Sequence, residues 1–502
     1  MSFMKARPQP FKMKRGRKWK LKAIKLAGFT TIQTEILAGI TVALALIPES
    51  LAFAAIVKIN PMVALYTSFC MATVISITGG RPAMISAATG SMALLMTTLV
   101  AKYGIEYLFA ATILTGIIQF LMGVFKLGRF FSFIPPSVIA GFVNALAILI
   151  FTAQLQQFVG EPWQMYVMVA ATLAIVYLFP RINKSIPSPL VAIVVMTIVA
   201  MVTGLDVRRV GDIGEITRAL PMFHFPNIDF SLKTLAIILP YSLPLAIVGI
   251  LESLLTADLV DELTDTKSSK NKEVKGQGIA NIVTGFFGGM AGCGMVGQSI
   301  MNVRSGARSR FSTFVAGVFL LFSIMILKDV VVQIPMAALV GVMIMVAIET
   351  FDWKSLKHLQ KMPVSEALIM PLTVAVVVWT HDLAKGVLAG VILSTLIFGW
   401  KLAQIKTTTS VESNGAKTYK ISGQLFFGSM THFVELFNYN QDPEKIIIDF
   451  SNSHLWDHSA VTAVSKVVQK YRKLNKKVMI VGLNEESQLF MHKVGLTELL
   501  VR

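Results

Sequence analysis

The chain has 502 residues, 54% of them hydrophobic and only 15% charged, with a mean hydropathy of +0.66. These values exclude an ordinary soluble protein and indicate a polytopic membrane protein with a smaller polar appendage. The formal net charge of +18 fits basic cytoplasmic loops better than a nucleic-acid partner.

Residues 1–30 carry ten Lys or Arg between Lys5 and Lys25 and no acid. This reads as a basic cytoplasmic N-terminus lying against anionic lipid, and it lacks the apolar stretch of a cleavable signal. Within residues 31–204, apolar segments are predicted at 35–57, 62–78, 88–102, 107–125, 132–157, 163–180 and 187–204. A polar stretch, 205–230, follows as an extracytoplasmic loop. Within 231–404 the second set lies at 234–260, 276–290, 295–303, 311–327, 331–350, 364–381 and 384–403. With the N-terminus inside, strict alternation places Arg81, Lys126, Arg129, Arg181, Lys184, Lys267 to Lys275, Arg304 to Arg310 and Lys354 to Lys361 on the cytoplasmic side. The turns at 103–106, 328–330 and 380–385 then fall outside, as the positive-inside rule requires. Seven segments per set force the two sets into opposite orientations, which is an inverted repeat.

After Trp400 the composition changes. Residues 405–415 read as a linker and 416–502 as a soluble α/β module on the cytoplasmic side. Residues 417–427 read as a strand or two, 445–449 (KIIID) and 478–483 as strands, and 459–474 and 485–494 as helices.

Two features stand out within the apolar sequence. Glu252 lies in LAIILPYSLPLAIVGILESLLTADLV, where a central acid costs roughly 2.5–3.5 kcal/mol on insertion scales and marks a functional site. Downstream, GFFGGMAGCGMVGQS (Gly285 to Ser299) is a glycine-dense break, tolerated at membrane depth only where backbone is buried in protein or lines a cavity. Both recur in the first set. ESLAFAAIV (49–57) and ESLLTADLV (252–260) agree at five of nine positions, and each precedes a Gly-Gly pair and a run of small residues, SAATGS or GCGMVGQS. Matching interrupted segments in two halves point to a transporter site. Glu252 and Thr256 share a helix face, as do Glu49 and Phe53. Asp258, Asp261 and Glu262, at the inner end of the same segment, read as interfacial.

The chain resembles the sulfate permease family of anion transporters over residues 25–502. IPESLAFAAIVKINPMVALYT (Ile47 to Thr67), ISAATGS (Ile85 to Ser91) and GQGIANIVTGFFGGM (Gly276 to Met290) are similar to the family's membrane signatures. GQLFFGS (Gly423 to Ser429) and IIIDFSNSHLWDHSA (Ile446 to Ala460) are similar to its C-terminal STAS domain. The resemblance implies fourteen segments in a 7+7 inverted repeat with core and gate domains, uracil-transporter-like, moving by elevator-type alternating access. It also implies that the third and tenth segments are half-helices whose N-termini meet near the midplane. Such ends expose unpaired N–H groups and positive dipole ends, an anion site that needs no basic side chain. The implied anion contacts are Glu49, Phe53, Thr89, Gly90, Ser91, Met295, Val296 and Gly297. The implied cation-coupling residues are Glu252, Thr256 and Gly294, with Na⁺ or H⁺ as the coupling ion and no other cofactor. Sulfate is the expected substrate, with bicarbonate or a dicarboxylate as alternatives. An anion exchanger or channel, or a scaffold signalling through the STAS domain, are the other functional readings. A homodimer in the bacterial inner membrane with both termini cytoplasmic is also implied.

The sequence departs from the family pattern at several points. Ala87-Ala88 stands where many relatives have Gly-Pro, Gln298 where vertebrate relatives have a basic residue, and Glu49 where Gln is usual. In the STAS domain, Asp457-His458-Ser459-Ala460 replaces Asp-Ser-Ser-Gly. Ser459 aligns with the modifiable serine, although Ser459 or Asp457 also suits a helix N-cap. Cys70 and Cys293 make no disulfide framework, His224, His358 and His381 lack metal-ligand spacing, and no Walker A sequence supports ATP drive. No nucleophile–base pair suggests an enzyme.

Overall fold

The computed structural model describes residues 17–128, 134–183, 187–229, 231–413 and 415–493, with the side chains of 17–31 and 490 left aside. The basic stretch predicted over 1–30 therefore lies largely outside the described residues, as do Arg129 and Lys184. The first half contains α1 (Arg17–Val57), α2 (Pro61–Thr78), strand β1 (Ser86–Ala88), α3 (Gly90–Tyr103), α4 (Ile105–Val124), α5 (Pro136–Leu155), α6 (Trp163–Leu178) and α7 (Ser188–Thr203). The second half repeats the order with α8 (Leu232–Thr264), α9 (Lys270–Phe286), β2 (Gly292–Gly294), α10 (Val296–Arg304), α11 (Phe311–Val331) and α12 (Met336–Thr350). Then come α13 (Trp353–Leu359), α14 (Val364–Ala367), α15 (Ile369–Thr380) and α16 (Leu383–Leu402). All fourteen expected segments are present, the thirteenth as α14 plus α15.

The helix starts follow local chemistry. Pro61 opens α2, where its missing N–H costs nothing, and the Asn60 side chain accepts from Met62 N at 2.9 Å. Among the described residues nine helices are long and apolar enough to cross a bilayer. Neither α3 nor α10 is one of them. At 1.5 Å per residue they reach about 21 Å and about 14 Å, against a hydrocarbon core of about 30 Å.

Two layers of helices emerge from the packing. α1–α4 pack with α8–α11, and α5–α7 pack with α12. The tightest contact, α4 on α9, runs through paired glycines. A Cβ on Gly116 would lie 2.6 Å from the Gly278 carbonyl, so a side chain there would force the helices apart. The α7–α8 loop bridges the layers. Its first part bonds to the α11–α12 junction (Val210 N to Ile334 O, 2.9 Å; Met336 N to Arg208 O, 2.8 Å). Its second part bonds to α2 and α4 (Tyr66 OH to Ala219 O, 2.9 Å; Asn227 N to Glu106 Oε2, 2.8 Å).

Three expectations change. The predicted turn 328–330 lies inside α11, whose last turn carries Lys328 and Asp329, and the chain reverses at 332–335 instead. The basic stretch Lys354 to Lys361 is mostly helical, because Asp352 caps α13 by accepting from Lys354 N and Ser355 N. The expected linker 405–415 contains strand β3 (Lys406–Val411), a run of Thr and Ser that pairs antiparallel with β4 (Lys417–Leu425).

The chain divides into two units, one running to Met362 with Met370–Ala389, the other taking Pro363–Ile369 and everything from Gly390. The second unit holds a sheet in the order β3-β4-β5-β6, with β5 (Lys445–Leu455) and β6 (Lys477–Val481) parallel to β4. A single strand thus occupies most of 417–427, and β5 extends well past KIIID. The short α17 (Met430–Glu435), α18 (His458–Lys473) and α19 (Glu485–Lys493) complete it. Tyr419, Phe433, Ile448, Phe450, Val464 and Tyr471 form its own core. Buried in it, Asp442 accepts from Lys417 Nζ at 2.6 Å, Tyr419 OH at 2.7 Å and the Tyr471 hydroxyl.

Candidate functional site

The site grows from a two-stranded ribbon. β1 and β2 pair antiparallel in the register Ser86↔Gly294, Ala87↔Cys293 and Ala88↔Gly292. Glycine is required in β2, since a Cβ on Gly292 would sit 2.4 Å from the Ala87 carbonyl. Each strand leads at once into a half-helix, α3 through Thr89 and α10 through Met295. Because the strands are antiparallel, the helices leave the ribbon in opposite directions and their N-termini face one region. Each end carries a positive partial charge of about half a unit.

The ribbon's polar backbone is satisfied by side chains from both halves. Ser253 of α8 accepts from Gly294 N at 2.9 Å, and Asn281 of α9 accepts from Gly292 N at 2.9 Å. In the first half, Ser68 accepts from Ala88 N at 3.3 Å and lies 2.6 Å from Ser50 Oγ. Ser50 and Ser253 occupy the same place in the two Glu-Ser-Leu copies. They anchor matching amides, one directly and one through Ser68.

The two carboxylates are crossed between the halves. Glu49 of α1 accepts a hydrogen bond from Gln298 on the first turn of α10. Glu252 of α8 accepts from Ser91 on the first turn of α3 and from Cys293 Sγ at 3.0 Å. Among the described residues neither carboxylate forms an ion pair with Lys, Arg or His. Thr256 lies one turn beyond Glu252 and donates to the Glu252 carbonyl at 2.8 Å and to the Gly294 carbonyl at 3.4 Å. Thr256 therefore joins the Glu252 and Gly294 backbone carbonyls, while the Glu252 carboxylate turns to Ser91 and Cys293.

The residues assigned to the anion divide by environment. Thr89, Gly90 and Ser91 are buried. The Thr89 hydroxyl lies 3.0 Å from Ser91 Oγ and 3.2 Å from Cys293 Sγ. Phe53 covers Gly90, because a Cβ there would lie 3.2 Å from the Phe53 ring. Met295 is buried, whereas Val296 is 38% exposed and Gly297 is exposed with open space where a Cβ would be. Among the described residues no side chain caps α10. Its first N–H groups are thus the accessible donors of the site.

Sequence reasoning passed over Cys293, which contacts Glu252, Thr89 and Ser91 together. Its position in Gly-Cys-Gly, directly before a half-helix, was the available signal. Asp261, read as interfacial, pairs with Arg81 at 2.9 Å and with Lys270, at the start of α9, at 2.9 Å. Ser459 belongs to the second unit, and the cap of α18 is Asp457, which accepts from Ala460 N at 2.9 Å and from Phe427 N at 2.7 Å. Ser459 is half-buried within the first helical turn.

Comparison with known proteins agrees with this architecture. The sulfate permease family model matches residues 32–165 and 161–373, and the STAS domain model matches 407–501. The chain is 54% identical over 472 residues, 94% of its own length and 99% of the other's, to a Bacillus subtilis (strain 168) protein named "Putative sulfate transporter YbaR". The chain belongs to the sulfate permease family. It is a multi-pass membrane protein of that family with a C-terminal STAS domain. Among solved structures, it is similar to the transmembrane domain of a cyanobacterial bicarbonate transporter, BicA (27% identity, TM-score 0.63, covering 73% of this chain and 98% of that one). It also shares its fold with the murine solute carrier 26 family member A9 anion transporter in the inward-facing state (16% identity, TM-score 0.80, 93% and 88% covered).

Proposed function

We propose that this sulfate permease family protein is a secondary transporter of a small oxyanion, driven by a co-transported cation. One observation carries the reading: the uncapped, exposed start of α10 lies across a three-residue ribbon from α3, beside a carboxylate, Glu252, held only by neutral donors. An anion binds the helix-end amides. Its approach to an ionised Glu252 is opposed by like charge, and a proton or Na⁺ at Glu252 removes that opposition. Anion and cation therefore favour each other's binding, which is the thermodynamic content of symport. Sulfate is the first substrate to test, given the name of the relative sharing 54% identity, and bicarbonate the second, given BicA.

The split between the layer containing α1–α4 and α8–α11 and the layer containing α5–α7 and α12 supports alternating access by movement of the site-bearing layer past the other. The basic loops support a cell-membrane protein with both termini cytoplasmic.

The test is uptake of labelled sulfate and bicarbonate into proteoliposomes holding the full chain, with Na⁺ and H⁺ gradients imposed separately. Accumulation should follow at least one of the gradients and fall in Glu252→Gln. Undiminished gradient-driven accumulation in that variant would refute the coupling role. Single-channel currents that ignore both gradients would refute transport by symport.

A further inference from the structure

The pseudo-symmetry of the two halves extends to their charges. Glu49 and Glu252 open the same Glu-Ser-Leu motif, on α1 and α8 respectively. Each reaches across to the first turn of the other half's half-helix: Glu49 to Gln298 on α10, Glu252 to Ser91 on α3. The β1–β2 ribbon binds those two helix starts together, so the carboxylates flank a common anion position from opposite halves. Neither has a cationic partner among the described residues. The other charged group acting on Glu49 is Glu349, on the last turn of α12, which is also an acid. The titratable group facing Glu252 is the Cys293 thiol.

From this crossed pair we infer that Glu49 is a second coupling carboxylate, and that each transported anion is accompanied by two monovalent cations, one at each glutamate. The inference rests on the transport function proposed above. An anion bound between two ionised carboxylates meets like charge on both sides, and neutralising Glu252 alone leaves half of that opposition in place. Among the described residues the hydrogen-bond partner of Glu49 is the Gln298 side-chain amide N–H, a donor that cannot ligate a metal ion. That setting suits a proton rather than a metal ion. Protonation forms one O–H bond on the Glu49 carboxyl. Its other oxygen keeps accepting from Gln298, and the new O–H is free to donate to the anion. Release on the far side returns the proton to water and restores the carboxylate. Two cations make the cycle electroneutral for a divalent oxyanion, so the substrate class that fits is sulfate-like rather than a monovalent anion.

The experiment is sulfate accumulation at steady state in proteoliposomes containing the full chain, with the membrane voltage clamped at zero and pH and Na⁺ gradients varied independently. Each coupled cation contributes about a tenfold accumulation for a tenfold gradient of that ion. The wild type should show two such factors in total when both gradients are imposed. Glu49→Gln, nearly isosteric and still able to accept from Gln298, should reduce the accumulation at one pH unit about tenfold and leave any Na⁺-dependent factor unchanged. Glu49→Asp, which keeps a titratable group, should restore the lost factor. Thermal unfolding and size-exclusion profiles identify a variant that has misfolded. An unchanged pH-gradient factor in Glu49→Gln, or a single factor in the wild type, overturns the inference while leaving symport at Glu252 intact. A wild type that responds to neither gradient overturns the proposed function and this inference with it.

Discussion

Two buried carboxylates, one in each unit, show opposite uses of the same group. Asp442 in the STAS unit has a lysine and two tyrosine hydroxyls around it. Burial opposes its ionisation, but the bonds from Lys417, Tyr471 and Tyr419 outweigh burial and hold its carboxyl below the ordinary value. The bond to Asp442 raises Lys417, and burial followed by Asp442 raises the Tyr471 phenol. Partners built into the fold favour the charged form of that carboxylate, and it serves structure. Glu252 in the membrane unit has a serine hydroxyl and a thiol instead, with no cation among the described residues. On the coupling proposed above, its charge is left for a mobile partner to balance. A compensating residue built into the fold makes an acid structural, and the proposal assigns the acid that lacks one to coupling.

Removing Asp442 should give the largest effect. Asp442→Ala strands Lys417 and two buried phenols, and breaking a buried pair in this way costs about 3–5 kcal/mol. Calorimetry of the full chain should show the STAS transition at a clearly lower temperature, with the cation-gradient dependence of uptake retained. The same group predicts a pH dependence. Its folded pKa lies below its unfolded value, so its stabilisation is complete above about pH 4 and drains as the pH falls through the folded value. The melting-temperature gap between wild type and Asp442→Asn should therefore narrow as the pH drops from about 5 towards 2. A gap constant across that range would show that Asp442 is not ionised in the folded protein.

Next comes Ser91→Ala, which removes one of the two donors on Glu252. Hydrogen bonds to charged groups are worth about 1.5–3 kcal/mol, so the cation concentration for half-maximal uptake should shift about tenfold or more. Fitted titrations of uptake against Na⁺ and H⁺ measure this directly, and coincident curves would remove Ser91 from the coupling site. The smallest effect belongs to Cys293→Ser, which keeps a donor near Glu252 and should move the same midpoint by about 1 kcal/mol or less. Cys293→Val, of similar bulk but without the donor, should move it further. Identical behaviour of the two variants would reduce Cys293 to packing.

Much of the membrane architecture was legible because bilayer length is a strict filter. A helix such as α11, Phe311–Val331, can hardly be anything but a span, and the Glu-Ser-Leu copies exposed the repeat. Segment ends were less legible. Lys328 and Asp329 resemble a turn in sequence but complete the last turn of α11, where polar heads can reach the interface. Strand β3 was hidden because KTTTSV has the composition of a linker, and only pairing with β4 makes it a strand. At the site, the acids could be named from their charge in apolar sequence and from the repeat, and the half-helix starts from the family resemblance. The crossing of Glu49 to α10 and Glu252 to α3 could not, because it depends on which half lies beside which. Cys293 was missed for the same reason: its importance comes from Glu252 and Thr89, neither of them near it in sequence.

The three-pair ribbon also limits what can move. Its strands share hydrogen bonds among buried residues, and Asn281, Ser253 and Ser68 bond further amides. Prising Ala87 from Cys293 would leave buried polar backbone without partners. The two half-helix starts are thus spliced like the links of a chain, and any displacement of one would carry the other, with the helices that hold them, as one piece.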